Sequence, residues 1–153
     1  MMAPSPMYSL NLTVPDVDTY RQLRQKSGLS AKTSEAAERG LPNSLFGVQV
    51  MFDGEAVGMG RVIGDGGCFF QVVDIALLPA HRGKGLAKQI MAEVMRYLAG
   101  HVPASGYVCL IADGQAHNLY AQFGFVPTAP ESVAMALPRS VLRPTQGAIE
   151  QAR

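Results

Sequence analysis

The stretch Val72-Val73-Asp74-Ile75-Ala76-Leu77-Leu78-Pro79-Ala80-His81-Arg82-Gly83-Lys84-Gly85-Leu86-Ala87 decides the fold. Its first half is an apolar run ended by Pro79, which reads as a strand, the third of a set that begins at Phe46. Arg82 to Gly85 is a short glycine loop carrying two cations. From Leu86 the period changes: Leu86, Ile90, Met91, Val94, Met95 and Leu98 recur at helical spacing, with Lys88, Glu93 and Arg96 on the other side. A strand therefore passes through a glycine turn into an amphipathic helix. The N-terminus of such a helix presents unpaired N–H groups and a partial positive charge. Glycine lets the backbone come close to a ligand, and Arg82 and Lys84 add full charges. Together these make an anion site, a pyrophosphate cradle among the options.

Spacing removes two common ligands. A dinucleotide fingerprint needs G-x-G-x-x-G, but Lys88 stands where the third glycine belongs. A P-loop needs Gly-Lys followed by Ser or Thr, and Lys84 is followed by Gly85. A solvated glycine turn with no ligand remains open on these residues alone.

Working outward, Tyr8 to Val14 alternates as a first strand, and Asp16 or Asp18 can cap a helix through Tyr20, Leu23 and Arg24 that ends at Ser27-Gly28. A second helix covers about Thr33 to Arg39. Phe46–Phe52 and Ala56–Ile63 flank Asp53-Gly54, a strong hairpin signal. After the central helix, Tyr107 to Ala112 is a short strand. Asp113-Gly114 opens a last helix through Ala116, Leu119, Tyr120 and Phe123, closed by Gly124. Phe125–Pro127 and Val133–Leu137 read as two closing strands. The order is β-α-α-β-β-β-α-β-α-β-β, an α/β layout with helices packed on a mixed sheet. A domain is expected over residues 1–137, with a tail over 138–153 that carries little pattern.

Composition sets the bounds. A chain of 153 residues fits one core, and a net charge of +1 gives no broad pull toward nucleic acid or anionic membrane. No apolar run approaches the roughly 20 residues that span a bilayer. The N-terminus lacks a basic segment followed by an apolar one, so a soluble cytoplasmic protein is expected. Cys68, at the start of a strand read as Cys68 to Leu78, and Cys109, in the run Val108-Cys109-Leu110, form no metal-ligand spacing, and both read as buried free thiols. No metal site is indicated. Free sheet edges and Met-rich apolar content make a homodimer an expectation.

Two ordered motifs sharpen the anion site. The run from Val72 to Ala87 resembles the cofactor signature of Gcn5-related N-acetyltransferases: an apolar strand, Pro, then R/Q-x-x-G-x-G/A opening a helix, with Arg82, Gly85 and Ala87 at its defined positions. Asn118-Leu119-Tyr120-Ala121-Gln122-Phe123-Gly124-Phe125 is similar to the family's second block, one residue shorter between Asn and Tyr. The element order agrees from about Tyr8 to Leu137.

The resemblance implies a single-domain fold whose mostly antiparallel sheet splays at its centre, with acetyl-CoA in the opening. It implies that the backbone of Ile75, Ala76 and Leu77 aligns the thioester, and that Arg82, Gly83, Lys84, Gly85, Leu86 and Ala87 hold the pyrophosphate. Asn118 and Tyr120 join the cofactor set. The implied reaction is direct attack of a primary amine on the thioester in a ternary complex. A small amine or amino sugar is the first acceptor reading, and a peptide or protein amine the second. A binding module for acyl-CoA without catalysis is the rival class. Tyr120 is the implied proton donor to the departing thiolate. Asp74, an acid interrupting an apolar strand, is the candidate base, with a hydrogen-bonded structural carboxylate as the competing reading. A water-relayed base through Glu35, Asp113 or His117 is a further option.

Overall fold

A computed structural model describes residues 7–142 of the chain. The strands β1 (Tyr8–Asn11), β2 (Phe46–Phe52), β3 (Glu55–Gly64), β4 (Phe69–Leu77) and β5 (Tyr107–Leu110) form one open sheet in that spatial order. The first four pair antiparallel, and β5 joins β4 parallel. Helices α1 (Val17–Ser27) and α2 (Ser34–Gly40) precede β2, α3 (Leu86–His101) crosses from β4 to β5, and α4 (His117–Ala121) follows.

Local chemistry explains the boundaries. Asp16 caps α1 by accepting from the Thr19 amide at 2.8 Å, and Gly28, left-handed at φ 95°, ends the helix. Thr33 caps α2 in the same way. The β2–β3 hairpin turns on Asp53 and Gly54, both at positive φ, as a two-residue turn of this hand requires.

The sheet is packed on both faces. One face buries Val48, Val50, Val62, Phe70 and Val72 against Ile90, Met91 and Val94 of α3, with Tyr120 at the margin. The other buries Met59 and Ala76 against Tyr20 and Leu23 of α1 and Ala37 of α2. Gly60 governs how close α3 comes. A Cβ there would lie 2.7 Å from Ile90 Cγ2 and 2.8 Å from Ile75 Cδ1.

β4 carries a bulge. Met59 faces Ala76 but Arg61 faces Val73, so three residue steps on β4 oppose two on β3. The extra residue is Asp74, at φ 59°. The bulge inverts the alternation: Phe70 and Val72 face α3 before it, and Ile75 and Leu77 do so after it, while Ala76 faces α1. Pairing with β5 covers only Phe69 to Val72. Beyond that point β4 and β5 separate, which is the expected splay.

Two expectations need correction. Phe125–Pro127 and Val133–Leu137 form no strand. Pro127 lacks the N–H a ladder needs, Val133–Leu137 is exposed throughout, and neither segment meets a strand edge among the described residues. Cys68 is exposed, because it lies in the turn before β4 rather than in the strand, and Cys109 is half-buried. Of the expected tail, 138–142 is described, with a short helix α5 (Arg139–Leu142), and the rest lies outside the described residues.

Replacing Gly60 by Ala should lower stability by about 1–3 kcal/mol, the usual range for overpacking. Urea unfolding checks this, and an unchanged midpoint would show that α3 can retreat without loss.

Candidate active site

The separation of β4 from β5 opens a cleft of about 670 Å³. Its floor is Ile75, Ala76 and Leu77, one wall is Arg82, Gly83, Gly85, Leu86 and Ala87, and the other is Ala116, Leu119 and Tyr120. Nine residues singled out from the sequence therefore meet in one place.

The floor offers backbone groups. The Leu78 amide donates to Val57 O across the β3 side. Alternation then turns the N–H and C=O of Ile75 and Leu77 toward the side β5 has left. Leu77 O is taken by Arg82 Nε at 3.0 Å. The Leu77 N–H and both groups of Ile75 remain turned to the cleft.

The wall is a helix start. Gly83 and Gly85 have φ near 79° and 78°, so the loop needs residues free of a Cβ penalty. Gly85 is the N-cap of α3, and no side chain caps that helix. The first intrahelical bond recorded is Gln89 N–H to Gly85 O, which leaves the amides of Leu86, Ala87 and Lys88 pointing out of the helix end. An anion there meets N–H groups and the positive end of a 16-residue helix.

Arg82 gives two of its nitrogens to the protein itself. Its Nε binds Leu77 O, and its Nη2 binds Ser27 O at 2.8 Å. It straps the C-terminal end of α1 to the end of β4, and its charge still borders the cleft. Lys84 does not line the cleft. Its ammonium lies 5.6 Å from the centre of the Tyr8 ring, whose hydroxyl meets His81 Nδ1 at 2.6 Å. Asn118 is exposed and donates to Gln115 Oε1 at 3.1 Å, again outside the lining.

Tyr120 is buried at its ring, which packs edge-on to Phe125. Burial, and then the negative charge of Asp113, raise its hydroxyl above the ordinary tyrosine pKa. It stays protonated and can give a proton.

Asp74 is not on the cleft wall. Its side chain is 6% exposed and faces α1 and β3. Arg24 Nη1 binds Oδ1, while Arg61 Nε and the Tyr20 hydroxyl both bind Oδ2 at 2.9 Å. The structural-carboxylate reading describes this placement. Glu35 pairs with Arg39 in the open, and His117 is exposed on α4. Asp113 contributes its backbone carbonyl, not its side chain, to the start of α4. Sequence reasoning missed Ser27, Leu29 and Gln115 as lining residues. Only the Ser27-Gly28 helix end hinted at them, and nothing in sequence ties that turn to Arg82. Among the described residues no group of three or more His, Cys, Asp or Glu is placed to hold a metal ion, and no helix is long and apolar enough to cross a membrane.

Comparison with known proteins gives a consistent outcome. Residues 45–127 match the model of the acetyltransferase (GNAT) domain. A protein of meticillin-resistant Staphylococcus aureus, described as a probable acetyltransferase, is similar at 45% identity and a TM-score of 0.82, over 86% of this chain and 99% of that one. A protein of Xanthomonas campestris assigned to the GNAT family is similar at 28% identity and a TM-score of 0.67, over 87% and 94%. A GNAT family N-acetyltransferase of Escherichia coli, solved in complex with CoA, shares the fold at 21% identity and a TM-score of 0.61, over 82% and 72%. No curated protein sequence matches.

Tyr20 yields a pH prediction. Burial, then the charge and hydrogen bond of Asp74, hold its hydroxyl above the ordinary tyrosine value, against the opposing pull of Arg61 and Arg24. The folded state thus keeps this proton more tightly than the unfolded chain does. The stabilisation is complete below about pH 10, the unfolded value, and is lost as pH rises through the folded one. Tyr20→Phe should cost about 1–3 kcal/mol at neutral pH and should flatten the loss of stability above pH ~10. Urea midpoints measured across that range test both; parallel curves for the two proteins would refute the assignment.

Proposed function

The chain belongs to the GNAT family of acetyltransferases, and from that premise we propose that it moves an acetyl group from acetyl-CoA to the primary amine of a small molecule in a ternary complex. The observation that carries the proposal is the cleft itself. It joins an open strand edge at Ile75–Leu77, the uncapped start of α3 and the ring of a protonated Tyr120.

In this reading the amides around Gly83, Gly85, Leu86 and Ala87 bind the pyrophosphate. The exposed groups of Ile75 and Leu77 pair with the pantetheine arm, and the Leu77 N–H polarises the thioester carbonyl. The amine nitrogen bonds to the carbonyl carbon, and the C–S bond then breaks. Tyr120 protonates the leaving thiolate, and the amine's proton passes to water. Asp74 supports this by position. Three donors occupy its carboxylate and it lies off the cleft wall, so the base role expected for it gives way to a pinning role. Arg82 fixes α1 against β4, while Lys84 and Asn118 are not among the residues that line the cleft. The catalytic unit over 1–137 and its cytoplasmic location are part of the same proposal. So is a homodimer, supported by the exposed apolar side chains of Val126, Val133 and Met135.

Calorimetry should show acetyl-CoA binding by the wild type. Gly85→Val, which forces a β-branched residue to φ 78°, should weaken it strongly. No binding by the wild type would remove the cofactor assignment. In a thiol-release assay with an accepted amine, Tyr120→Phe should lower kcat by about 10²-fold with little change in the KM for acetyl-CoA. An unchanged kcat would give the proton to another donor. Cofactor binding with no turnover across a panel of amines would favour a non-catalytic binder.

A further inference from the structure

The buried ion cluster is not neutral. One carboxylate, Asp74 (6% exposed), lies between two guanidinium groups, Arg24 (9%) and Arg61 (10%). The cluster therefore holds one positive charge in excess. Buried charge is retained when it is paired or serves a ligand.

The two arginines differ in what they have left. Each nitrogen of Arg24 has a partner: Nε binds Ser30 O at 2.7 Å, Nη1 binds Asp74, and Nη2 binds Ser30 Oγ at 3.0 Å. Arg61 gives Nε to Asp74 at 2.9 Å and Nη1 to Ser44 Oγ at 2.7 Å. Its Nη2 has no acceptor among the described residues. Every fully buried side-chain nitrogen or oxygen among those residues does have a partner, so this Nη2 reaches open space.

Arg61 lines a cavity of about 220 Å³ that shares no lining residue with the cofactor cleft. Its walls include Tyr20, Lys32, Ala37, Gly40, Leu41 and Arg61. Among the described residues it contains two cationic side chains and no acidic one. Glu35, on the adjoining helix, is exposed and paired with Arg39. The cavity is also joined to the reactive strand through the chain: Asp74, which holds Arg61, is followed directly by Ile75.

We propose that this cavity binds an oxyanion, a carboxylate or phosphate, carried by the acceptor amine, with Arg61 Nη2 and the Lys32 ammonium as its partners. The excess charge of the cluster is then balanced when the acceptor arrives, and the anion orients the amine toward the strand edge at Ile75. The proposal rests on the acetyl-transfer reading for its chemistry, but the anion site can be tested without turnover.

Thiol release is measured with wild-type enzyme and matched amines that differ only in the oxyanion: an amino acid against its carboxamide, and an amino sugar phosphate against its unphosphorylated parent. The acidic member of at least one pair should show about ten-fold or more higher kcat/KM, the usual size of one charge-assisted contact. The pair that responds tells carboxylate from phosphate. Lys32→Met, an exposed change that leaves the ion cluster intact, should move that ratio toward one through KM. Equal use of both members of each pair, or a ratio untouched by Lys32→Met, would overturn the proposal. If acetyl-CoA binds but no amine is turned over, acetyl transfer to a small amine fails, and amide shifts decide the cavity. Acetate or inorganic phosphate added to CoA-saturated protein should move the signals of Lys32, Ala37 and Gly40 in the wild type and less so in Lys32→Met. Absence of shifts with both anions would end it.

Discussion

Everything at the centre of this molecule depends on the carboxylate of Asp74 holding a strained backbone position. A left-handed residue other than glycine inside a strand is uncommon, and aspartate is one of the few types that tolerates it. Tolerance alone would not select it. Arg24 from α1, Arg61 from β3 and the Tyr20 hydroxyl converge on the one side chain, and together they hold the bulge in place. The bulge reverses the facing of Ile75 to Leu77, and pairing with β5 stops two residues before it. The strand edge that forms the floor of the cleft exists because of that one extra residue.

The same constraint links the two layers of helices. α1 is tied to β4 at two levels, by Arg24 to the bulge and by Arg82 to the strand's end through Leu77 O and Ser27 O. On the opposite face, Gly60 lets α3 lie close over Ile75. The start of α3 is thereby held beside the open edge, with its first amides directed to the same space as the Leu77 N–H. An isolated ion pair at the surface would add little. This one is buried, and removing the carboxylate would leave two guanidinium groups without their counter-charge.

Much of this was legible in the sequence because it is local. The hairpin at Asp53-Gly54, the caps at Asp16 and Gly28, the period of α3 and the loop from Arg82 to Ala87 each declare themselves within a few residues. So does Tyr120, whose block places it on the cleft wall. What was not legible is long-range. Asp74 stands out as an acid in an apolar strand, but its partners lie 50 and 54 residues away in α1 and 13 away in β3. No spacing rule joins them, so a catalytic base and a structural carboxylate looked alike. Arg82 is similar: its charge fits a phosphate site, and only the folded turn at Ser27 shows where its donors go. Cys68 misled because an apolar neighbourhood was read as strand, while the strand begins one residue later. The segments after Phe125 have strand-like composition, yet composition supplies no partner edge.

The whole-chain charge of +1 conceals a division of labour around β4. The positive end of α3 and the glycine loop serve the cleft on one side of the strand. The excess charge of the Asp74 cluster lies on the α1 and α2 side, next to a separate cavity. Donor and acceptor can therefore be held by different positive centres that share only the backbone of residues 74–77. On that proposal the donor site stays constant while the residues around Lys32 and Leu41 set which amine is accepted. It also explains why the motif segments name the donor clearly and say little of the acceptor. Most of the cleft comes from one continuous stretch, with α4 as its far wall, whereas the cavity proposed for the acceptor is assembled from α1, α2 and β3, and its charge is visible only when those elements are brought together.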